Sequence, residues 1–458
     1  MSQIGDLDAH GQAELVRRGE ASRHALVGEA AKRIGERDPV LHAVTHRAFD
    51  YALHASETVD ADLPMAGVPY LLKASMEYPG FPHVCGSRSR RFSMGSQAYP
   101  FAQKLDRAGL IPCGMSAMPE FGLIGTGEPL LHEATRNPWD TSRTAGGSSS
   151  GAATAVASGM VPFATGSDGG GSIRIPASHC GIVGFKPSRG WNLAARAPSL
   201  IDDLLASDAL MARTMRDTAW AARFLRTQPQ GAGLPGRPLR VALCLEGLDG
   251  RPPAASVADV INRTARLCGD LGHEIEECAL PLDMPALSRA FDVLWSYGAG
   301  EAADVTRARL GSAADELLEP WTLGLAARRR GIGADALAAA LTAVATIDAR
   351  LAAFWKRYDC VLGPVTAGPA PLLGQLAPDR PFAKLWRDHF AHVNYTQLQN
   401  MAGYPGISLP LFQSADGLPV GAMFWARSGL DDLLLALGCQ LESALPWAHR
   451  RPPEPAAQ

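Results

Sequence analysis

Apolar residues recur at helical spacing over residues 6–58, where Leu15, Val16, Ala21, Ala25, Leu26, Ala30 and Ile34 fall between charged positions. Asp38-Pro39 predicts a break, followed by a second helix through Ala43, Val44, Ala48, Tyr51, Ala52 and Ala55. The run MAGVPYLL at 65–72 reads as a short buried strand that ends in Lys73. FAQKLDRAG at 101–109 predicts a helix closed by Gly109, and LIPCG at 110–114 a strand after it. Helix–strand alternation of this kind points to the α/β class. Further on, 239–245 reads as a strand, 257–270 as a helix, and 283–357 as almost wholly helical and Ala-rich. Residues 358–371 read as a strand running into a Pro/Gly loop, 406–411 and 418–426 as a strand pair, and 432–445 as a closing amphipathic helix. The tail RPPEPAAQ has no pattern. QPQGAGLPGRP at 228–238 is the one marked composition shift, and fits a linker or a surface loop equally. No repeat of fixed period is visible.

Composition narrows the class. The chain has 458 residues, 47% hydrophobic and 19% charged. That is enough apolar material to bury a large core, so disorder is excluded. The net charge of −3 gives no electrostatic reason to bind nucleic acid or an anionic membrane. The first twenty residues carry charges throughout and contain no signal core. No run reaches ~20 apolar residues free of charge, so no membrane span is predicted, and a reducing, cytoplasmic location is expected. Eight cysteines without a C-x-x-C pair indicate neither a zinc site nor a disulfide framework.

The chemistry concentrates in 143–187. Two Gly/Ser clusters stand there, Gly146–Gly151 and Gly166–Ser172. The apolar stretches 152–165 and 173–185 follow them, so the clusters are embedded in a core and are not linkers. The phosphate-loop pattern G-x-x-x-x-G-K-[ST] is absent, and no strand–GxGxxG–helix unit is visible. An oxyanion hole beside a serine fits better: Gly169, Gly170 and Gly171 let the backbone N–H groups converge, and Ser172 ends the run with a hydroxyl. Asp168 and Arg174 can pair across this turn. A serine nucleophile needs a base. None of the twelve histidines sits in a hydrolase motif, and G-x-S-x-G fails because Arg174 stands at its second glycine. His179 and Lys73 remain open as bases. A lone histidine is more often structural. A lysine serves only if burial keeps it neutral, and a lysine closing an apolar strand is more often at the surface.

Residues 65–187 as a whole resemble the amidase signature family. The likeness rests on Leu71-Leu72-Lys73, Met118-Pro119-Glu120-Phe121, Asn137-Pro138-Trp139, Gly147-Ser148-Ser149, Gly170-Gly171-Ser172-Ile173-Arg174-Ile175-Pro176 and Gly181-Ile182-Val183-Gly184-Phe185-Lys186-Pro187, with Ser148 and Ser172 24 positions apart. It extends over nearly the full chain and is weakest at 283–357. The resemblance implies one α/β domain over 1–458, with a central mixed β-sheet flanked by helices on both faces. It implies a signature core at 65–190 and variable helices at 283–357 that roof the substrate pocket. It also implies a Ser-Ser-Lys triad: Ser172 as nucleophile, Ser148 as bridge in a cis peptide, and Lys73 as neutral base. The N–H groups of Gly169, Gly170, Gly171 and Ser172 would form the oxyanion hole, with Ser149, Asp168 and Arg174 in support. An acyl-enzyme forms and is hydrolysed by water. Neither metal nor organic cofactor is expected. The implied partner is a small-molecule amide, and homodimers are common in the family.

The chain departs from the family pattern in three places. It has Ala74 where an aspartate is usual, Ser150 in the first cluster, and Ser167 and Gly169 beside Asp168. Gly169 is expected to loosen the turn, and Ala74 to remove a hydrogen bond near the lysine. Phe121, Leu123, Ile124, Trp295, Tyr297, Trp321, Trp386, Phe390 and Tyr395 are candidate pocket walls. KPSRGW at 186–191 and QLESALPWAHRRPP at 440–453 are similar to the branch of aminohexanoate cyclic dimer hydrolases and aryl amidases. That favours a medium-sized apolar, aryl or cyclic amide. The alternatives are a glutamine-hydrolysing amidotransferase A-type subunit, an amide-forming acyltransferase, and a catalytically silent binding protein.

Overall fold

Strands form where short apolar runs alternate between two faces, and helices cover both. The computed structural model describes residues 4–193 and 200–454. Its strands are β1 (Val44–Arg47), β2 (Pro69–Lys73), β3 (Ile111–Ser116), β4 (Arg136–Asn137), β5 (Asp140–Thr144), β6 (Phe163–Asp168), β7 (Gly184–Lys186), β8 (Ser207–Met211), β9 (Arg240–Leu243), β10 (Glu274–Glu277), β11 (Cys360–Pro364), β12 (Gly406–Gln413) and β13 (Pro419–Trp425). One half-sheet has the order β1-β3-β2-β6-β8, the other β10-β9-β11-β13-β12-β7. Among the described residues, a single antiparallel bridge between Val183 and Ala212, at the ends of β7 and β8, joins them. Parallel pairs lie at the centre of the first half and at one edge of the second, and the remaining pairs are antiparallel, so the sheet is mixed.

Period-two alternation divides each strand between two cores. In β13, Val420, Ala422 and Phe424 pack with the helices Ala255–Asp270 and Asp431–Ala444. Met423 and Trp425 pack on the opposite face with the helix Met284–Leu310. In the first half, Leu71 of β2 joins one core while Tyr70 and Leu72 join the other.

Two sequence expectations change. The first long helix runs Arg23–Leu41 and carries Pro39 in its last turn, so the break comes at His42, in a left-handed conformation. Val44 lies in β1, not in a helix. The Asp38 carboxylate accepts the N–H groups of Ala43 and Val44 at 2.7 and 2.9 Å and turns the chain out of the helix. The backbone then pairs with β3, and the second helix is confined to Phe49–Thr58. Residues 228–238 connect the helix Met215–Leu225 to β9. The region 283–357 is helical, as predicted. Its part Ala334–Arg357 reaches a mean hydropathy of 1.5 and is apolar enough by composition to cross a membrane. Here it is divided into three helices, and Ala340, Val344, Ile347, Leu351 and Phe354 pack inward. Residues 455–458 of the tail lie outside the described residues, whereas Glu454 pairs with Arg37.

Candidate active site

Lys73 ends β2, a strand flanked on both sides within its half-sheet, and all five of its residues are buried. Its backbone N–H donates to Thr165 Oγ1 at 2.7 Å, which pins the strand end against β6. The side chain is 1% exposed. Its Nζ lies 2.8 Å from Ser148 Oγ, 3.0 Å from Ser149 Oγ and 2.8 Å from Ser167 Oγ. A lysine so enclosed meets hydroxyls in place of water. Ser167 was noted in the sequence only as a departure from the family pattern, and here its hydroxyl is one of the three on the amine.

The Gly147–Ser148 peptide is cis. Ser149 follows, and its N–H donates to the carbonyl of Ser172 at 3.2 Å. This bond brings the first Gly/Ser cluster onto the second. Ser172 is buried, 8% exposed. The turn before it is organised by Asp168, whose Oδ1 accepts the Gly171 N–H at 2.7 Å and whose Oδ2 accepts Arg174 Nε at 2.9 Å. Arg174 Nη2 donates to Oδ1 at 2.9 Å, so the pair predicted across the turn forms as a two-pronged contact with both side chains fully buried. Burial pushes the Asp168 carboxyl up, but the Arg174 charge and hydrogen bonds, with Lys186 and Asn400, hold it well below its usual range. Gly171 has φ +126°, a conformation that favours glycine. Its N–H is committed to Asp168, while among the described residues the N–H groups of Gly169 and Gly170 have no hydrogen-bond acceptor.

A segment from the far half of the sheet backs this turn. Thr396 Oγ1 donates to the Gly170 carbonyl at 2.6 Å, and Asn400 Nδ2 donates to the Asp168 carbonyl at 2.8 Å. Arg174 Nη1 donates to Gln399 Oε1 at 2.9 Å. Thr396, Gln399 and Asn400 went unnoticed in the sequence because TQLQN carries no local pattern; only the chain's return to the turn gives these residues a role.

The outer side is aromatic. Trp295 and Phe291, on the helix Met284–Leu310, lie against Gly169 and Gly170. Both Trp295 Nε1 and Trp321 Nε1 donate to the carbonyl of Leu123, at 3.1 and 2.9 Å. Phe121, Leu123, Ile124, Trp295, Trp321, Trp386 and Phe390 share one cluster, while Tyr297 and Tyr395 pack elsewhere. Phe291 was missed because nothing in its helix separates a pocket residue from a core residue. Gly122 lies beside Ser148 Oγ. Ala74 has only backbone hydrogen bonds, to Ser116 and Cys85.

His179 does not face Ser172. Its Nε2 lies 3.4 Å from His392 Nε2, and its Nδ1 is buried against Gly146 with no partner among the described residues. Burial, with His392 beside it, depresses its basicity strongly. Lys186, the other buried lysine of the signature, donates to the Pro187 carbonyl at 2.7 Å, and burial pushes it down to about 7. Among the described residues no group of three His, Cys, Asp or Glu side chains could hold a metal ion.

Comparison with known proteins gives this arrangement a family. The Amidase family model matches residues 25–435. A Mycobacterium leprae protein named AmiC is 34% identical over 456 residues, covering 97% of each chain. The 6-aminohexanoate-cyclic-dimer hydrolase of Pseudomonas sp. strain NK87 is 32% identical over 481 residues, covering 97% of this chain and 96% of its own. A solved structure of a 6-aminohexanoate cyclic dimer hydrolase superposes with a TM-score of 0.90 at 28% identity over 99% of both chains. The chain belongs to the amidase signature family and is an amidase, a hydrolase acting on carbon–nitrogen bonds.

Proposed function

We propose that the protein hydrolyses a medium-sized apolar, aryl or cyclic amide through an acyl-enzyme on Ser172, with Ser148 and Lys73 as its proton relay. The observation that carries this reading is the 2.8 Å contact between the buried Lys73 Nζ and Ser148 Oγ. Lys73 takes the proton of Ser148 as Ser148 takes that of Ser172. The Ser172 oxygen then attacks the amide carbon. The N–H groups of Gly169 and Gly170 stabilise the developing oxyanion. The proton returns through Ser148 to the departing nitrogen, the C–N bond breaks and the amine leaves. Water, deprotonated along the same relay, attacks the ester and releases the carboxylic acid. Ser149 and Ser167 hold the Lys73 amine in line, and Asp168 with Arg174 holds the turn.

The aromatic cluster supports the apolar substrate class, with the helices of 283–357 as roof. The wall around Leu123 presents indole and phenyl surface to the Gly169–Gly170 side of the turn. A relative named 6-aminohexanoate-cyclic-dimer hydrolase agrees with it. The test is product mass after incubation with primary amides, anilides, cyclic amides, short peptides and glutamine, using Ser172→Ala as control. Release from apolar or cyclic amides by the parent alone is expected. Ammonia from glutamine alone would replace this reading with that of an amidotransferase subunit.

A further inference from the structure

The helix Ser150–Ala157 runs out into Gly159, whose φ is +72°. Three guanidinium nitrogens converge on the place where a Cβ of Gly159 would stand: Arg213 Nη1 at 3.1 Å, and Arg33 Nη1 and Arg37 Nη1 at 3.4 Å. Arg33, Arg37, Gly159 and Arg451 line a cavity here, together with Asp6, Ser158 and Glu454, and Arg213 stands directly behind Gly159. Part of this arrangement caps the helix. Arg37 Nη1 donates to the Ser158 carbonyl at 2.6 Å and Arg33 Nη1 to the Gly159 carbonyl at 3.3 Å, where cations offset the negative helix end. Capping does not account for Arg213. That side chain is 7% exposed, its Nη2 donates to the Asp6 and Leu7 carbonyls, and its buried Nη1 has no partner among the described residues.

Among the described residues, the charges around the cavity leave it short of anion. Asp6 and Glu29 pair with Arg33. Asp8 and Asp217 lie near Arg213 but are held by Arg216 and His10. The carboxylate on Arg37 belongs to Glu454, whose side chain is 76% exposed. Burial and the Arg451 charge push the Arg213 guanidinium down to about 9, against the opposing charges of Asp217 and Asp8.

We propose that this cavity is a binding site for a phosphate group, entered by displacement of the Glu454 carboxylate and read by Arg37, Arg213 and Arg451. A carboxylate on the tail satisfies the Arg37 fork alone. A tetrahedral oxyanion has acceptors enough for Arg37, for the orphan nitrogen of Arg213 and for Arg451 together.

The test is thermal unfolding of the whole protein in sodium phosphate against sodium chloride at matched ionic strength, with glycerol phosphate as a phosphomonoester probe. A saturable rise of Tm in phosphate is expected, since a ligand bound only by the folded state stabilises it in proportion to its occupancy. Glu454→Gln removes the competing carboxylate and is expected to lower the half-saturating phosphate concentration several-fold. Arg451→Met, at an exposed position that keeps folding intact, is expected to raise it several-fold. A stronger response to glycerol phosphate identifies a phosphomonoester as the ligand, and a stronger response to inorganic phosphate the free anion. The proposal is overturned if phosphate acts no differently from chloride, or if either variant titrates like the parent.

Discussion

Thr396 donates its hydroxyl to the Gly170 carbonyl and also fills the space that a Cβ on Gly171 would need. An alanine at 171 would meet both this hydroxyl and an unfavourable φ of +126°. Gly171→Ala is expected to distort the donors of the turn and lower kcat by about 10²–10³, the usual loss for one oxyanion donor. Gly169 differs. A Cβ there meets only the Trp295 ring at 3.5 Å, an ordinary contact. Gly169→Ala should stay within a few-fold of the parent in kcat, measured on whichever amide the product screen identifies.

Ser172→Ala removes the oxygen proposed to form the acyl bond and should abolish turnover while leaving the circular dichroism spectrum unchanged. Lys73→Ala and Ser148→Ala should each lower kcat by several powers of ten. The double variant should fall little further, because residues that act as one relay are not additive. Additive losses in steady-state kinetics would separate the two roles.

Asp168 and Arg174 are both fully buried, and each is the other's charge partner. Asp168→Asn leaves the guanidinium facing only neutral acceptors, Gln399, Asn400 and the Thr396 carbonyl. The expected loss of stability is about 3–5 kcal/mol, read from urea unfolding.

Acid should weaken the fold through its buried histidines. His389 accepts the Gly125 N–H on Nε2 at 2.9 Å, and burial, with His392 nearby, pushes it down to about 3. His392 is pushed down to about 4 by burial. Both rings stay neutral in the fold while the unfolded chain begins to take up protons near pH 6.5. The stability they support is complete above 6.5 and is lost as pH falls toward 3 to 4. By pH 5 the loss from His389 is roughly 2 kcal/mol. His389→Gln, whose amide oxygen can accept the Gly125 N–H, should flatten the slope of Tm between pH 6.5 and 5.

The opposite limb belongs to Glu319. Burial and the Glu120 charge raise its carboxyl to about 8. The unfolded chain loses this proton near pH 4.5 and the fold keeps it, so the stability it supports is complete below 4.5 and is lost as pH rises to about 8. Glu319→Gln retains an acceptor for the Leu130 N–H, bonded to Glu319 at 2.6 Å. The variant should exceed the parent by about 1–3 kcal/mol at pH 8 and lose that margin near pH 4.5.

Much of this molecule was legible from pattern. β2, β3, β9, β11, β12 and β13 fall where apolar runs end in turns, and the helices of 283–357 follow their Ala-rich composition. Lys73, Ser148 and Ser172 were reached through the resemblance to the amidase signature family, and the structure brings Lys73 and Ser148 together while Ser149 ties that segment to Ser172. Val44 was misread because VTHR is too short to show a strand period, and only pairing with β3 decides it. Ser167 looked incidental, since a hydroxyl declares its role only when the amine it touches is placed. Phe291, Thr396 and Asn400 act across more than a hundred residues of chain, and no local signal marks them.

Among the described residues, the single bridge between Val183 and Ala212 gives the turn before Ser172 a mechanical position. The chain leaves β6 in one half of the sheet, passes through Ser172 and the helix Arg174–Cys180, and enters β7 in the other half. The turn therefore straddles a seam that one backbone bridge closes. Arg174 stitches that seam a second time, from Asp168 on the near side to Gln399 and Asn400 on the far side. Any shear between the two halves would be delivered to the residues around Ser172, so the rigidity of this turn is set by how firmly the two half-sheets are sutured.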